Sequence, residues 1–214
     1  LVAPGTYIEN VSMPAVNLTI VPLSDGGNYT ISGNFYVIAT YDGKTATIVG
    51  AIIQGDFLEQ NNTSSCGNGG TQMNEVNIIN CEFLQMFSPE RCIITNLYYS
   101  TLNVNLSNNR MLFKEFIGNH LINSTGQNRE FYCYLIDDMW NSAAGALYGD
   151  DKVQKVYANH FENVKFEIAT NSSNSHWTDQ IHIANNFFDQ NTYYQSSFRL
   201  LSLSMSGSVG LASM

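Results

Sequence analysis

The feature that most constrains this chain is an internal repeat. Ile52-Ile53-Gln54-Gly55-Asp56-Phe57-Leu58-Glu59 matches Ile78-Ile79-Asn80-Cys81-Glu82-Phe83-Leu84-Gln85 column by column at an offset of 26 residues. Both read as an apolar pair, an amide, a small residue, an acid, Phe, Leu, and an acid or amide. The phrase returns, less cleanly, as Leu106-Ser107-Asn108-Asn109-Arg110-Met111 and Leu135-Ile136-Asp137-Asp138-Met139-Trp140. Tyr157-Ala158-Asn159-His160-Phe161 and Ile183-Ala184-Asn185-Asn186-Phe187-Phe188 complete the series, at successive offsets of about 28, 29, 22 and 26. A period of roughly 20–50 residues marks an architecture of stacked units, each too small to bury its own apolar face.

Each part of the phrase has a physical reading. Short alternations such as Val76-Asn77-Ile78 and Ile181-His182-Ile183 suit strands with one buried face. The amide that follows suits a tight corner, because Asn tolerates the left-handed backbone better than other side-chain-bearing residues. The Phe after the corner fills the core. Amides repeated at one corner would bond up the stack as a ladder, which accounts for Gln54, Asn80, Asn108, Asn159 and Asn185 without catalysis. The predicted fold is all-β: one domain over residues 1–214, a right-handed parallel β-helix of about eight coils.

Composition narrows the function. Charged residues are 13% of the chain, hydrophobic residues 44%, and the net charge is −9. No Lys/Arg stripe is present to displace counterions, so nucleic acid is excluded as a partner. No run of 18 apolar residues spans a membrane. The start, Leu1-Val2-Ala3, implies a removed leader or a cut from something longer. Asn-x-Ser/Thr sequons occur at Asn10, Asn17, Asn28, Asn61, Asn62, Asn105, Asn123 and Asn171, an excess that points to a secreted glycoprotein. Cys66 and Cys92 lie 26 residues apart, one repeat, so stacking would bring them within disulfide range. Cys81 and Cys133, 52 apart, read as small buried side chains.

Ala3-Pro4-Gly5-Thr6-Tyr7-Ile8-Glu9-Asn10-Val11, followed by Leu18-Thr19-Ile20-Val21 and Thr30-Ile31-Ser32-Gly33, resembles the opening coil of the pectin-lyase-like superfamily of β-helix proteins. The resemblance implies a parallel β-helix and, among several activities, action on polysaccharides. Hydrolases of that superfamily pair carboxylates on neighbouring coils, and here Asp137 and Asp138 are the candidates, with Tyr134 and Trp140 as sugar-stacking aromatics. Strand alternation would send the two acids to opposite faces, which weakens a joint role. The Gly-His-Gly and Arg-Ile-Lys phrases of polygalacturonase-like enzymes are missing. His120, His160, His176 and His182 fit no metal-ligand spacing, and no cofactor motif is present.

Neither end carries a capping helix: the chain opens almost within a strand, and Phe198–Met205 alternates like one. These features predict an extracellular structural or adhesive protein that associates with itself head to tail through its terminal coils. The alternative is a polysaccharide-active enzyme or carbohydrate-binding module.

Overall fold

A computed structural model describes residues 1–24, 27–39, 42–61, 73–127, 129–134, 153–170, 181–189 and 197–202. Among them every regular element is a strand, and every strand pairing is parallel. The strands fall in triples, one circuit of the chain each. β1 (Gly5–Tyr7), β2 (Val11–Met13) and β3 (Leu18–Ile20) make the first, and β4 (Tyr29–Ile31), β5 (Phe35–Ala39) and β6 (Thr45–Val49) the second. β7 (Ala51–Ile53), β8 (Phe57–Asn61) and β9 (Glu75–Ile79) follow, then β10 (Glu82–Phe83), β11 (Phe87–Ser88) and β12 (Glu90–Tyr98). Next come β13 (Thr101–Asn103), β14 (Asn109–Leu112) and β15 (Glu115–Ile117), then β16 (His120–Ile122), β17 (Arg129–Tyr134) and β18 (Gln154–Tyr157). β19 (His160–Glu162), β20 (Val164–Thr170) and β21 (Ile181–Ala184) precede the last pair, β22 (Phe187–Asp189) and β23 (Ser197–Ser202).

Strands β1 to β22, taken in steps of three, form an eight-stranded sheet, here the first face. β2, β5, β8 and β11 form a four-stranded sheet, the second face. The remaining strands form an eleven-stranded sheet, which holds the third face and the later part of the second. The two faces fuse at β12, which belongs to both and shifts register between Glu90 and Ile94. Its Glu90 pairs with Met111 of β14, while its Leu97 pairs with Phe116 of β15.

Period-two burial explains why these segments are strands. β5 alternates buried and half-buried residues along its length, and β9 does the same. The inward rows stack in register. Phe57 lies between Phe35 and Phe87, with ring centroids 5.4 and 5.1 Å away. Such pairs add about 0.5–1.5 kcal/mol each beyond the area they bury. Cys81 and Cys133 are buried free thiols, as their spacing led us to expect.

The repeat is real, but its register is not the one read from the phrase. Ile52 pairs with Glu82, and Phe57 stands beneath Phe87 instead of Phe83. Ile78 lies on the third face, beside Ile48 and Leu97. Successive circuits are separated by 30, 19, 19, 40 and 27 residues along one column, far from a constant 26. The physical reason is that every face shows the same alternation and every corner favours a small or amide residue. A phrase from one face therefore matches a phrase from another.

The corner from third to first face carries two aligned columns. Gly50, Asn80, Tyr99, Gly118, Ala158 and Asn185 each hold a positive φ, between 51° and 67° for Gly50, Asn80, Tyr99, Ala158 and Asn185 and 68° for Gly118. The next residues, Ala51, Cys81, Ser100, Asn119, Asn159 and Asn186, make a ladder, buried except at half-buried Asn186. Each amide donates to the side chain one circuit on: Ala51 N to Cys81 Sγ (3.4 Å), Cys81 N to Ser100 Oγ (3.0 Å), Ser100 N to Asn119 Oδ1 (3.0 Å). Asn119 N donates to Asn159 Oδ1 (2.8 Å), and Asn159 N to Asn186 Oδ1 (3.0 Å). Burial pushes the Cys81 thiol up to about 11, so it stays protonated and donates to the Ile79 carbonyl at 3.4 Å.

The single amide column expected from Gln54, Asn80, Asn108, Asn159 and Asn185 therefore divides. Asn80 and Asn185 take the left-handed position, and Asn159 is a rung beside it. Asn108 is left-handed (φ 71°) in a different turn, before β14. Gln54 sits between the first and second faces, where its Oε1 accepts from Ser32 Oγ at 2.8 Å.

Candidate functional site

The outer surface of the third face gathers the densest polar cluster among the described side chains. Asn77 pairs with Asn96, and Glu115 with Lys155, which pairs in turn with His182. These side chains alternate with buried Ile78, Leu97, Phe116 and Val156, so strand geometry alone turns them outward. Asn96 is the hub. Its Nδ2 donates to Glu75 Oε1 and to Asn77 Oδ1 (3.0 Å), while its Oδ1 accepts the amides of Lys114 and Glu115, both at 3.0 Å. Lys114 Nζ lies 3.6 Å from Glu75 Oε2.

Glu115 uses both carboxylate oxygens. Lys155 Nζ donates to Oε1 and the Tyr98 hydroxyl to Oε2, each at 2.7 Å. Those two donors hold Glu115 below the usual carboxylate range. Burial, and then Glu115 itself, pushes the Tyr98 phenol up. Glu115 is therefore a fixed anion and Tyr98 a fixed donor. A glycosidic general acid needs the opposite, a carboxyl held protonated near neutrality. What the cluster can do is present oriented donors and acceptors along the outside of the stack.

A second group lies on the first face. The His120 and His160 rings stack in register, centroids 4.4 Å apart and 4° from parallel, and Phe187 follows at 5.1 Å. His120 Nε2 lies 3.4 Å from Glu162 Oε2. Burial first, and His160 second, lower the His120 pKa below the ordinary imidazole value. Among the described residues no three His, Cys, Asp or Glu side chains are grouped to hold a metal ion. A cavity of about 10 Å³ between β2, β6 and β9, lined by Met13, Ala46 and Val76, is large enough for one water and no more.

Tyr134 closes β17, its backbone pairing with Leu112 and Ala169. Asp137, Asp138 and Trp140 lie outside the described residues, as do Cys66, Asn62 and Asn171. So does His176. Cys92 is buried, and its amide donates to Glu59 Oε2 at 2.9 Å. Sequence reasoning missed the Tyr98, Glu115 and Lys155 cluster. Its members sit 17 and 40 residues apart, spacings that carry no signal until the lengths of individual circuits are known.

Comparison with protein families, with curated proteins and with solved structures finds no match to this chain.

Proposed function

We propose that this chain is a right-handed parallel β-helix of about eight coils, similar in fold to the pectin-lyase-like superfamily, and that it serves as an extracellular, glycosylated structural or adhesive element. The observation that carries the reading is the ladder from Ala51 to Asn186, which ties each circuit to the next through side-chain acceptors. A stack bonded in this way transmits force along its axis, as a fibre or surface module must.

Its partner in this reading is a second copy, docked head to tail through terminal circuits. β1, β2 and β3 each pair on one edge only, with β4, β5 and β6. Apolar residues around them are open to solvent, Leu1 at 82% and Ile8 at 89% exposure. An edge of this kind accepts a further parallel circuit, which this reading takes from a second copy. A Cys66–Cys92 bridge belongs to the same proposal: Cys81 and Cys133 are free, which leaves Cys66 for Cys92.

A second reading, a carbohydrate-binding surface, is favoured by the oriented amides and charges of the third face, with Tyr99 exposed at its edge (66%). Electron microscopy of the purified chain, with intact mass before and after deglycosylation, separates the two. Filaments carrying sugar support the structural reading. Discrete particles that bind a polysaccharide, and lose it in Glu115→Gln, overturn it.

A further inference from the structure

We propose that Asn10, Asn17, Asn28 and Asn105 are the glycan acceptors among the sequons whose asparagine side chain is described, and that Asn123 is not one. The proposal rests on the extracellular reading and names its modification sites. Attachment forms a bond from Asn Nδ2 to the anomeric carbon of an oligosaccharide. The bond from that carbon to a lipid-linked pyrophosphate breaks, and the nitrogen gives up one proton. The amide keeps Oδ1 as an acceptor but has only one N–H left. A folded acceptor site therefore needs Nδ2 unengaged and open to solvent.

Three sequon asparagines meet that requirement while still bonding the stack. Asn10 Oδ1 accepts the Asn34 amide at 2.8 Å, and Asn17 Oδ1 the Thr45 amide at 3.0 Å. Asn105 Oδ1 accepts from Ser124 N at 2.8 Å and Ser124 Oγ at 3.1 Å. Among the described residues, Nδ2 of each has no partner. The oxygen makes the contact between circuits and the nitrogen is left over. Asn10, Asn17 and Asn28 are exposed, and Asn105 is half-buried.

Asn123 is built the other way round. It is 2% exposed, and its Nδ2 spends both hydrogens, on Gln127 O (2.6 Å) and Asn163 O (2.8 Å). Its sequon threonine folds back, Thr125 Oγ1 donating to Asn123 Oδ1 at 2.8 Å. A sugar there would orphan a buried carbonyl and enter the stack between circuits.

The acceptors are also placed together. Asn10 lies between β1 and β2, Asn17 between β2 and β3, and Asn28 between β3 and β4, so each corner of the first circuit carries one.

The test is occupancy in the whole chain secreted from a glycosylating eukaryotic host. Glycans are released enzymatically in H₂¹⁸O from the folded fraction, which leaves a labelled aspartate at each occupied site. Label is expected at Asn10, Asn17, Asn28 and Asn105 and not at Asn123. Ser12→Ala, Thr19→Ala, Thr30→Ala and Ser107→Ala should each lose the mass of one glycan, and Thr125→Ala none. Label at Asn123 in folded protein, or its absence from any of the four, overturns the assignment. Native material without sugar would sink the extracellular reading instead, and leave this result standing.

Discussion

Two corners of the same circuit obey opposite rules. After the first circuit, whose β3–β4 connection runs from residue 21 to 28, the chain turns from third to first face through residues 80–81, 99–100, 118–119, 158–159 and 185–186, each time a left-handed residue and then a rung. Between second and third faces the change falls within β12 in one circuit, between Glu90 and Ile94, at 113–114 in the next, and at 135–153 in the one after. At the first corner the rungs Ala51, Cys81, Ser100, Asn119 and Asn159 are buried, while left-handed Asn80, Tyr99, Ala158 and Asn185 beside them are exposed, and each rung amide finds its acceptor only if the next circuit presents a side chain at the same height. An added residue would leave a buried N–H without a partner. At the second corner the number of residues varies from circuit to circuit, and longer loops cost little more to close. After the first circuit, length is constant where the ladder bonds each circuit to the next, and it varies at the corner between second and third faces.

The largest test of that contrast is Asn159→Ala. Asn159 accepts from the Asn119 amide and donates to the Phe116 carbonyl at 2.8 Å, so its loss strands buried groups on two circuits. Chemical denaturation should show a loss of about 3–5 kcal/mol, at about 1–3 kcal/mol per orphaned group. Gly118→Ala tests the left-handed column. At φ 68° a Cβ is strained, and it would stand 2.5 Å from a Tyr99 ring carbon. A loss of about 1–2 kcal/mol is expected from the backbone alone, with more from the ring. Tyr99→Ala in the same chain should restore only the steric part, which a double-mutant cycle measures.

On the permissive side, two glycines inserted between Asp42 and Gly43, in the β5–β6 connection, should shift the unfolding midpoint by less than about 1 kcal/mol. A loss as large as that of Asn159→Ala would break the comparison. The smallest effect concerns the surface cluster. Glu115 is held below its ordinary 4.5, so the stability it supplies is present above that pH and fades as pH falls through the lower folded value. Glu115→Gln should cost about 0.5 kcal/mol near neutrality, since the pair with Lys155 is about a third exposed. It should also flatten the acid limb of the stability profile.

These elements show how far the sequence could be read. Ile181-His182-Ile183 and Leu18-Thr19-Ile20 announce strands because alternation is local, and both are strands. Asn80 and Asn185 announce left-handed corners for the same reason. Asn159 was legible as part of a ladder, but not as a rung beside the left-handed position instead of within it. Tyr99 and Ala158 at positive φ carry no local signal; their neighbours on the column, Gly118 and Asn185, supply the pattern only after stacking. The cluster around Glu115 was hidden by circuits of unequal length.

By itself the sequence determined that this chain repeats, that its repeats are strands with one apolar face, and that they must stack to bury it. Local alternation and corner residues suffice for that, because both act over a few bonds. Tertiary structure alone decided which residue stands above which. Register is fixed by backbone amides choosing acceptors on the next circuit, and the number of residues between those partners is set at a different corner, which the repeat phrase does not see.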